Sequence, residues 1–120
     1  MNYSYNENKS YLYYYVYKIT NKINGHYYYG VHSTNNLNDS YLGSGVLLKK
    51  AIKKYGRGVF DKEIIKFFDT MYEAYKYESE IIKLEDILSD DCYNTTAGGN
   101  GMFKSFVKDK TGNYFLIDNE

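Results

Sequence analysis

The chain has 120 residues, and its 15 basic and 15 acidic side chains cancel to a formal net charge of zero. That length suits one domain with a modest core, and the neutral balance counts against tight nucleic-acid binding by this chain alone, because such affinity rests on phosphate neutralisation. The single cysteine, Cys92, excludes an intramolecular disulfide and a multi-cysteine zinc site and fits a reducing compartment.

No hydrophobic run approaches the ~18 residues of a membrane span, and the polar opening MNYSYNENKS lacks the apolar region of a signal peptide. A cytoplasmic location with no membrane partner is therefore expected. Aromatic residues reach 19%, mostly tyrosine, and eight of the 17 tyrosines lie between Tyr11 and Tyr29. The excess of Tyr, Asn, Lys and Ile also matches codons rich in A and T, so part of it need carry no structural meaning.

Residues 1–10 read as a flexible polar tail. Leu12 to Thr20 is a β-branched and aromatic run, hence a strand. Asn24-Gly25 signals a two-residue type I′ turn, and His26 to Ser33 is the return strand. Thr34 to Ser40 is a polar loop. Gly43-Ser44-Gly45 introduces a helix with Ser44 as its N-cap. Leu47, Leu48, Ala51, Ile52 and Tyr55 share one face of it, and Lys49, Lys50, Lys53 and Lys54 the other. Gly56 ends this helix.

Val59 to Phe68 is a third strand, with Phe60, Ile64 and Phe68 among its apolar positions. Thr70 and Glu73 form a capping box for a second helix that runs to about Leu88. Asp90-Asp91 breaks it before a short extended piece at Cys92 to Thr95. Ala97 to Gly101 is a glycine-rich hinge, and the remainder reads as a small hairpin turning at Thr111-Gly112. The fold class is α+β, with a small antiparallel sheet and helices beside it. Residues 11–98 form the domain, and residues 99–120 are the hinge and hairpin.

A two-residue turn at Asn24-Gly25 would set Ile19 opposite Gly30 and Tyr17 opposite His32. Alternation along the strands then places Tyr17, Ile19 and Asn21 on one face with Tyr28, Gly30 and His32, and Tyr15 extends it. Gly30 leaves a dent, and a glycine inside a strand often marks close approach by another group. Tyr14, Tyr27 and Tyr29 point the other way. Tyrosine favours strands for ordinary reasons of sheet packing, so most of these rings need no functional explanation.

Ala74, Tyr77, Ile81 and Leu88 mark the buried face of the second helix. Glu78 sits beside that stripe, and Glu85 lies two turns further along. A carboxylate there either reaches out to solvent or is buried, where it needs a partner or a metal.

These residues together resemble the GIY-YIG nucleases. Tyr15-Val16-Tyr17 and Tyr28-Tyr29-Gly30 match the two signature triplets, with Tyr15 in place of glycine and Tyr29 in place of isoleucine. GVHST, DSYLGSG, LKKAIKKYG, the capped helix with Glu78, and Tyr93-Asn94 follow in order over residues 12–101. The tail FVKDKTGNYFLID resembles a segment that follows this domain in phage homing endonucleases, where it leads into further sequence. On that resemblance the chain is expected to be a shortened form, with site preference carried by a C-terminal module.

The resemblance implies a three-stranded antiparallel sheet flanked by helices and metal-dependent hydrolysis of a DNA phosphodiester. By matching position, Tyr17 and Tyr28 are the tyrosines of the two triplets, Glu78 binds the metal and Asn94 closes the site. Mg²⁺ or Mn²⁺ is the implied metal, with no small-molecule cofactor. A single carboxylate can hold a hard ion that keeps its waters and takes a phosphate ligand. Tyr17 would position water or act as base if a cation lowered its pKa from ~10. Tyr28 would orient water or phosphate, and His32, with an ordinary pKa of ~6.5, would carry a proton.

One departure matters. The family has a catalytic arginine soon after the second triplet, and this chain has the loop TNNLNDSY there. Arg57, its sole arginine, comes too late in sequence to be the equivalent. Either His32 or a lysine from Lys49 to Lys54 supplies the charge, or the domain is weak or inactive. Those four lysines are a solvated face or a DNA-binding one. Two other readings stay open: a non-catalytic nucleic-acid-binding remnant of the fold, and a tyrosine-faced protein-interaction module.

Overall fold

Strand β1, Tyr13–Asn21, runs down the middle of a three-stranded antiparallel sheet in the computed structural model, which describes residues 11–95, 104–108 and 114–118. Strand β2, Tyr27–Thr34, flanks it on one side and β3, Phe60–Phe68, on the other. A central strand with both faces covered needs a near-continuous hydrophobic run. The tyrosine-rich stretch supplies one: Tyr14 to Tyr17, Ile19 and Asn21 are all buried. Helix α1, Val46–Tyr55, a 3₁₀ turn at Arg57–Val59, and helices α2, Met71–Ile81, and α3, Leu84–Leu88, complete the domain. The α+β class and the three-stranded antiparallel sheet are as expected.

Strands β4, Lys104–Lys108, and β5, Tyr114–Asp118, pair antiparallel as a separate two-stranded sheet. The expected tail at residues 1–10, the hinge at 97–101 and the turn at Thr111-Gly112 lie outside the described residues.

The β1–β2 hairpin differs from its expected pairing. Tyr17 lies opposite Gly30, Ile19 opposite Tyr28 and Tyr15 opposite His32. The loop spans residues 22–25: Asn21 N–H donates to the His26 carbonyl at 2.8 Å, and Gly25 N–H donates to the Asn21 carbonyl at 2.7 Å. Of the two turn residues only Gly25 has positive φ, at +78°, whereas a type I′ turn requires it at both central positions. Asn21 Oδ1 accepts from Ile23 N–H at 2.9 Å and Asn24 Oδ1 from His26 N–H at 2.9 Å, so asparagine side chains close the longer loop. The pairing is displaced by two residues. Faces alternate with period two, so every side chain stays on the face expected for it.

The dent at Gly30 has an occupant. A Cβ there would fall 2.4 Å from the Tyr17 hydroxyl oxygen, so the Tyr17 phenol itself lies across the glycine. On β3, Val16 pairs with Lys66 but Tyr17 with Ile64, which leaves Ile65 as the extra residue of a β-bulge. The bulge changes which residues face α1. Lys62 and Ile64 share the Tyr17 face, and beyond the bulge Phe67 joins it, its ring 5.8 Å from that of Tyr15. Phe68 turns to the other face and meets Tyr77 at 5.3 Å.

Each face has its own cover. Tyr15, Tyr17, Ile19, Phe60 and Tyr93 pack with Leu48 and Ala51 of α1. Ile82 and Ile87 pack with Tyr29 and Ile81 on the other side. Gly45, not Ser44, occupies the N-cap position of α1, and no side chain caps it. Leu47 is exposed, so the buried stripe of α1 is narrower than its periodicity suggests. Gly56 closes α1 as expected, with its N–H on the Ile52 carbonyl at 2.8 Å.

Thr70 caps α2 by accepting from Glu73 N–H at 3.2 Å. The Glu73 carboxylate takes the Thr70 hydroxyl at 3.0 Å, so half of the expected capping box forms. The second helix ends at Ile81 instead of near Leu88. Asp86 Oδ2 accepts from Lys83 N–H at 2.9 Å and starts a new helix there, which leaves Leu88 exposed.

Replacing Gly30 with alanine should push the Tyr17 ring out of place and lower the unfolding free energy by ~1–3 kcal/mol. Urea denaturation reads this directly. An unchanged midpoint would mean that Tyr17 moves aside without cost.

Candidate active site

The face of β1 and β2 under α1 gathers the chemistry. Tyr17 is 1% exposed, with its ring centroid 6.4 Å from Tyr28, 6.3 Å from Tyr41 and 5.9 Å from Tyr15. Tyr28 is half-buried. Its phenol lies beside Ser44 and Gly45, and hydrogen bonding to them favours its ionised form. Gly45 allows this approach, since a Cβ there would fall 2.7 Å from the Tyr28 ring.

Glu78 is 7% exposed and lies in the centre of the inward face of α2, between Ala74 and Ile82. Of the two positions open to it, it takes the buried one. Glu85, expected along the same face, is exposed in α3 instead. The charge of Glu78 reaches both triplet tyrosines. Burial first, then Tyr28, Tyr41 and Glu78, hold the Tyr17 phenol far above its ordinary range. Burial first, then Glu78 and Tyr41, push Tyr28 up to about 12 against the two hydrogen bonds that lower it. The protein groups around Tyr17 thus work against the phenolate base it was expected to become. Both phenols are neutral hydroxyls at neutral pH.

His32 faces the same side but sits one strand pair away from Tyr17. Its Nε2 lies 2.6 Å from Asp39 Oδ2, and its ring stacks on Tyr41 at 3.9 Å and 6°. Asp39 Oδ1 also accepts from Tyr41 N–H at 3.1 Å. The His32 hydrogen bond leads the causes that hold the Asp39 carboxyl well below the usual carboxylate range. Histidine, aspartate and tyrosine therefore clamp the loop after β2 onto the site.

Asn94 lies on the opposite side of β2 from this patch. Its Oδ1 accepts from Tyr29 N–H and its Nδ2 donates to the Tyr29 carbonyl, both at 2.8 Å. Both side-chain groups serve the backbone between Tyr28 and Gly30. The neighbouring chain continues this edge, with Tyr93 N–H on the Tyr27 carbonyl at 2.7 Å. Asn94 thus braces the edge of the strand that carries Tyr28.

Lys49, Lys50, Lys53 and Lys54 are all exposed on α1. The basic group inside the patch is one that sequence reading missed. Lys62 Nζ donates to the Tyr15 hydroxyl at 2.6 Å and to the Tyr41 carbonyl at 2.8 Å. It also stands 5.0 Å from the Tyr17 ring centroid and 4.9 Å from that of Tyr15. Burial lowers its pKa and Asp39 partly restores it. Alternation of Phe60, Lys62 and Ile64 would have placed this lysine on the core side. Tyr41 was also missed, and no local pattern marks it, because a loop carries it there. Tyr14, Tyr15, Tyr17 and Tyr93 are buried, and most of the other described tyrosines are half-buried.

The match to known proteins is consistent along the chain. Residues 13–86 match the family described as the GIY-YIG catalytic domain. The chain is 53% identical over 90 residues to the protein of Enterobacteria phage T4 named "Putative endonuclease segE", covering 75% of this chain and 44% of that one. It is 43% identical over 89 residues to "Endonuclease segA" of the same phage, covering 74% of this chain and 40% of that one. The chain thus spans less than half the length of these curated relatives. No solved structure gives a significant match.

Two outcomes test these placements. Asn94→Asp sets a carboxylate against the Tyr29 carbonyl and should cost ~1–3 kcal/mol in chemical denaturation. Asp39 has a depressed folded pKa, so its stabilisation is full above the unfolded value of ~3.9 and is lost as pH falls through the folded one. Asp39→Asn should remove that part of the acid dependence in unfolding curves measured from neutral pH downward.

Proposed function

The chain belongs to the GIY-YIG catalytic domain family, and from that premise we propose that it is the catalytic domain of an endonuclease that hydrolyses DNA phosphodiester bonds with a divalent metal ion. The observation that carries this reading is the buried Glu78 carboxylate acting on the phenols of both signature tyrosines. The relatives named as endonucleases support it.

The donor set fits a hard ion. It offers carboxylate and phenol oxygens, and among the described residues no group of three or more His, Cys, Asp and Glu could cage a metal. Mg²⁺ or Mn²⁺ at Glu78 would keep most of its waters and take phosphate oxygens from the substrate. When bound, it supplies Lewis-acid stabilisation to the phosphate and the leaving oxygen.

Tyr28, beside Gly45 and protonated at neutral pH, offers its proton to a phosphate oxygen or the attacking water. Tyr17 is enclosed by Gly30 and Gly43 and steadies Tyr28 from behind. His32, oriented by Asp39, serves as the proton carrier. Asn94 keeps β2 in register. The exposed lysines of α1 meet the DNA backbone, with contributions that weaken as salt rises.

The second reading is a nucleic-acid-binding remnant without catalysis. Its supporting observation is the loop at residues 35–45, which carries no arginine.

Supercoiled plasmid with Mg²⁺ distinguishes the two. Glu78→Ala should abolish nicking and linearisation, and Tyr28→Phe should slow cleavage by ~10²–10³-fold, as for loss of one oriented donor. Tyr17→Phe should have the smaller effect of the two tyrosines. Equal rates for the unmodified chain and Glu78→Ala would sink the metal assignment. DNA retardation without cleavage would favour the remnant.

A further inference from the structure

Arg57, set aside on sequence distance, returns to the site in space. Its guanidinium donates to the Ser40 carbonyl, across 17 positions of chain. Ser40 is the one non-glycine residue with positive φ (65°) among the described residues, a conformation that serine adopts seldom. Between this loop and the start of β3 lies a cleft of about 420 Å³ lined by Leu37, Asn38, Ser40, Tyr41, Arg57 and Lys62.

The cleft's electrostatics are one-sided. Its lining contains both cations and no carboxylate. Among the described residues no recorded ion pair joins Arg57 or Lys62 to a carboxylate. Asp39, the carboxylate whose charge acts on Lys62, is committed to His32 and Tyr41. Arg57 spends one donor on Ser40 and Lys62 two on Tyr15 and Tyr41, which leaves the guanidinium fork and one ammonium donor for a ligand. Tyr41 forms the wall shared with the site, stacked on His32 and 6.3 Å from Tyr17.

We propose that Arg57 and Lys62 form a phosphodiester-binding subsite, in which this cleft seats a backbone phosphate of the DNA beside the one that is cut. The subsite supplies the positive charge that the loop after β2 lacks. It rests on the endonuclease reading for its role in catalysis but not for binding itself.

Arg57 is the sole arginine of the chain, so its Nε–Hε gives one resolved NMR signal. In EDTA, titration of the labelled protein with a short DNA duplex should shift that signal saturably. Added inorganic phosphate should compete. Arg57→Gln and Lys62→Met should each weaken duplex binding by ~10-fold and reduce the slope of log affinity against log salt by about one phosphate contact. Lys22→Gln, which removes the same charge from the exposed hairpin loop, should leave cleavage as it is.

In Mg²⁺, Arg57→Gln should lower cleavage at saturating DNA, and Arg57→Lys should restore part of it. Arg57 is exposed, so its replacement does not endanger folding, and thermal unfolding checks Lys62→Met. If the Arg57 signal stays still while DNA binds, or both variants bind and cut like Lys22→Gln, the subsite is wrong and the endonuclease reading survives. A shifting Arg57 signal in a protein that never cuts would leave the subsite standing and overturn the catalytic reading.

Discussion

The Tyr17 phenol lying across Gly30 is the contact on which the site depends. It locks the central strand to β2 at one pair, because any side chain at Gly30 would collide with the phenol. It buries the Tyr17 hydroxyl beside Gly43 and sets its ring against Tyr28, so the second triplet is placed by the first. The glycine supplies space more than backbone freedom. Without that space, Tyr17 would have to turn outward and the face under α1 would lose its largest buried side chain along with Tyr15.

Charge in this neutral chain is handled by separation. Four lysines remain on the outer side of α1, while Lys62 is drawn among three tyrosines and a carbonyl. A half-buried ammonium is tolerated where two of its donors are satisfied and aromatic faces surround it. Glu78 is the acidic counterpart on α2, and its charge adds to burial in raising the Tyr17 and Tyr28 phenols. His32 and Asp39 form a third charged unit that pins the connecting loop. Each unit belongs to a different element, and the sheet brings them together.

Support for the site comes from segments distant in sequence. Asn94 reads the Tyr29 backbone with both ends of its amide, as a neighbouring strand would. Asn21, fully buried, donates through Nδ2 to the Tyr93 hydroxyl at 3.2 Å and closes the hairpin loop with its Oδ1. On the other sheet face the Tyr27 hydroxyl donates to Asp86 at 2.6 Å, joining β2 to α3. Asparagine and aspartate thus serve as braces between elements, where their short side chains lose little entropy on fixing.

Local pattern determined the strands, the helices and the sorting of tyrosines between two faces, because alternation and helical spacing depend only on neighbours in the chain. The face assignment survived a hairpin displaced by two residues, since parity is unchanged by an even shift. The capping oxygen of Thr70 and the glycine after α1 were legible for the same reason. Glu78 was visible as a carboxylate beside an apolar stripe, but its burial was decided by how α2 sits on the sheet. Tertiary structure alone brought Arg57 to Ser40, set Lys62 against Tyr15 and Tyr41, and laid the Tyr28 ring against Gly45. Those contacts join residues on separate elements, and their distances follow from packing that no local window contains.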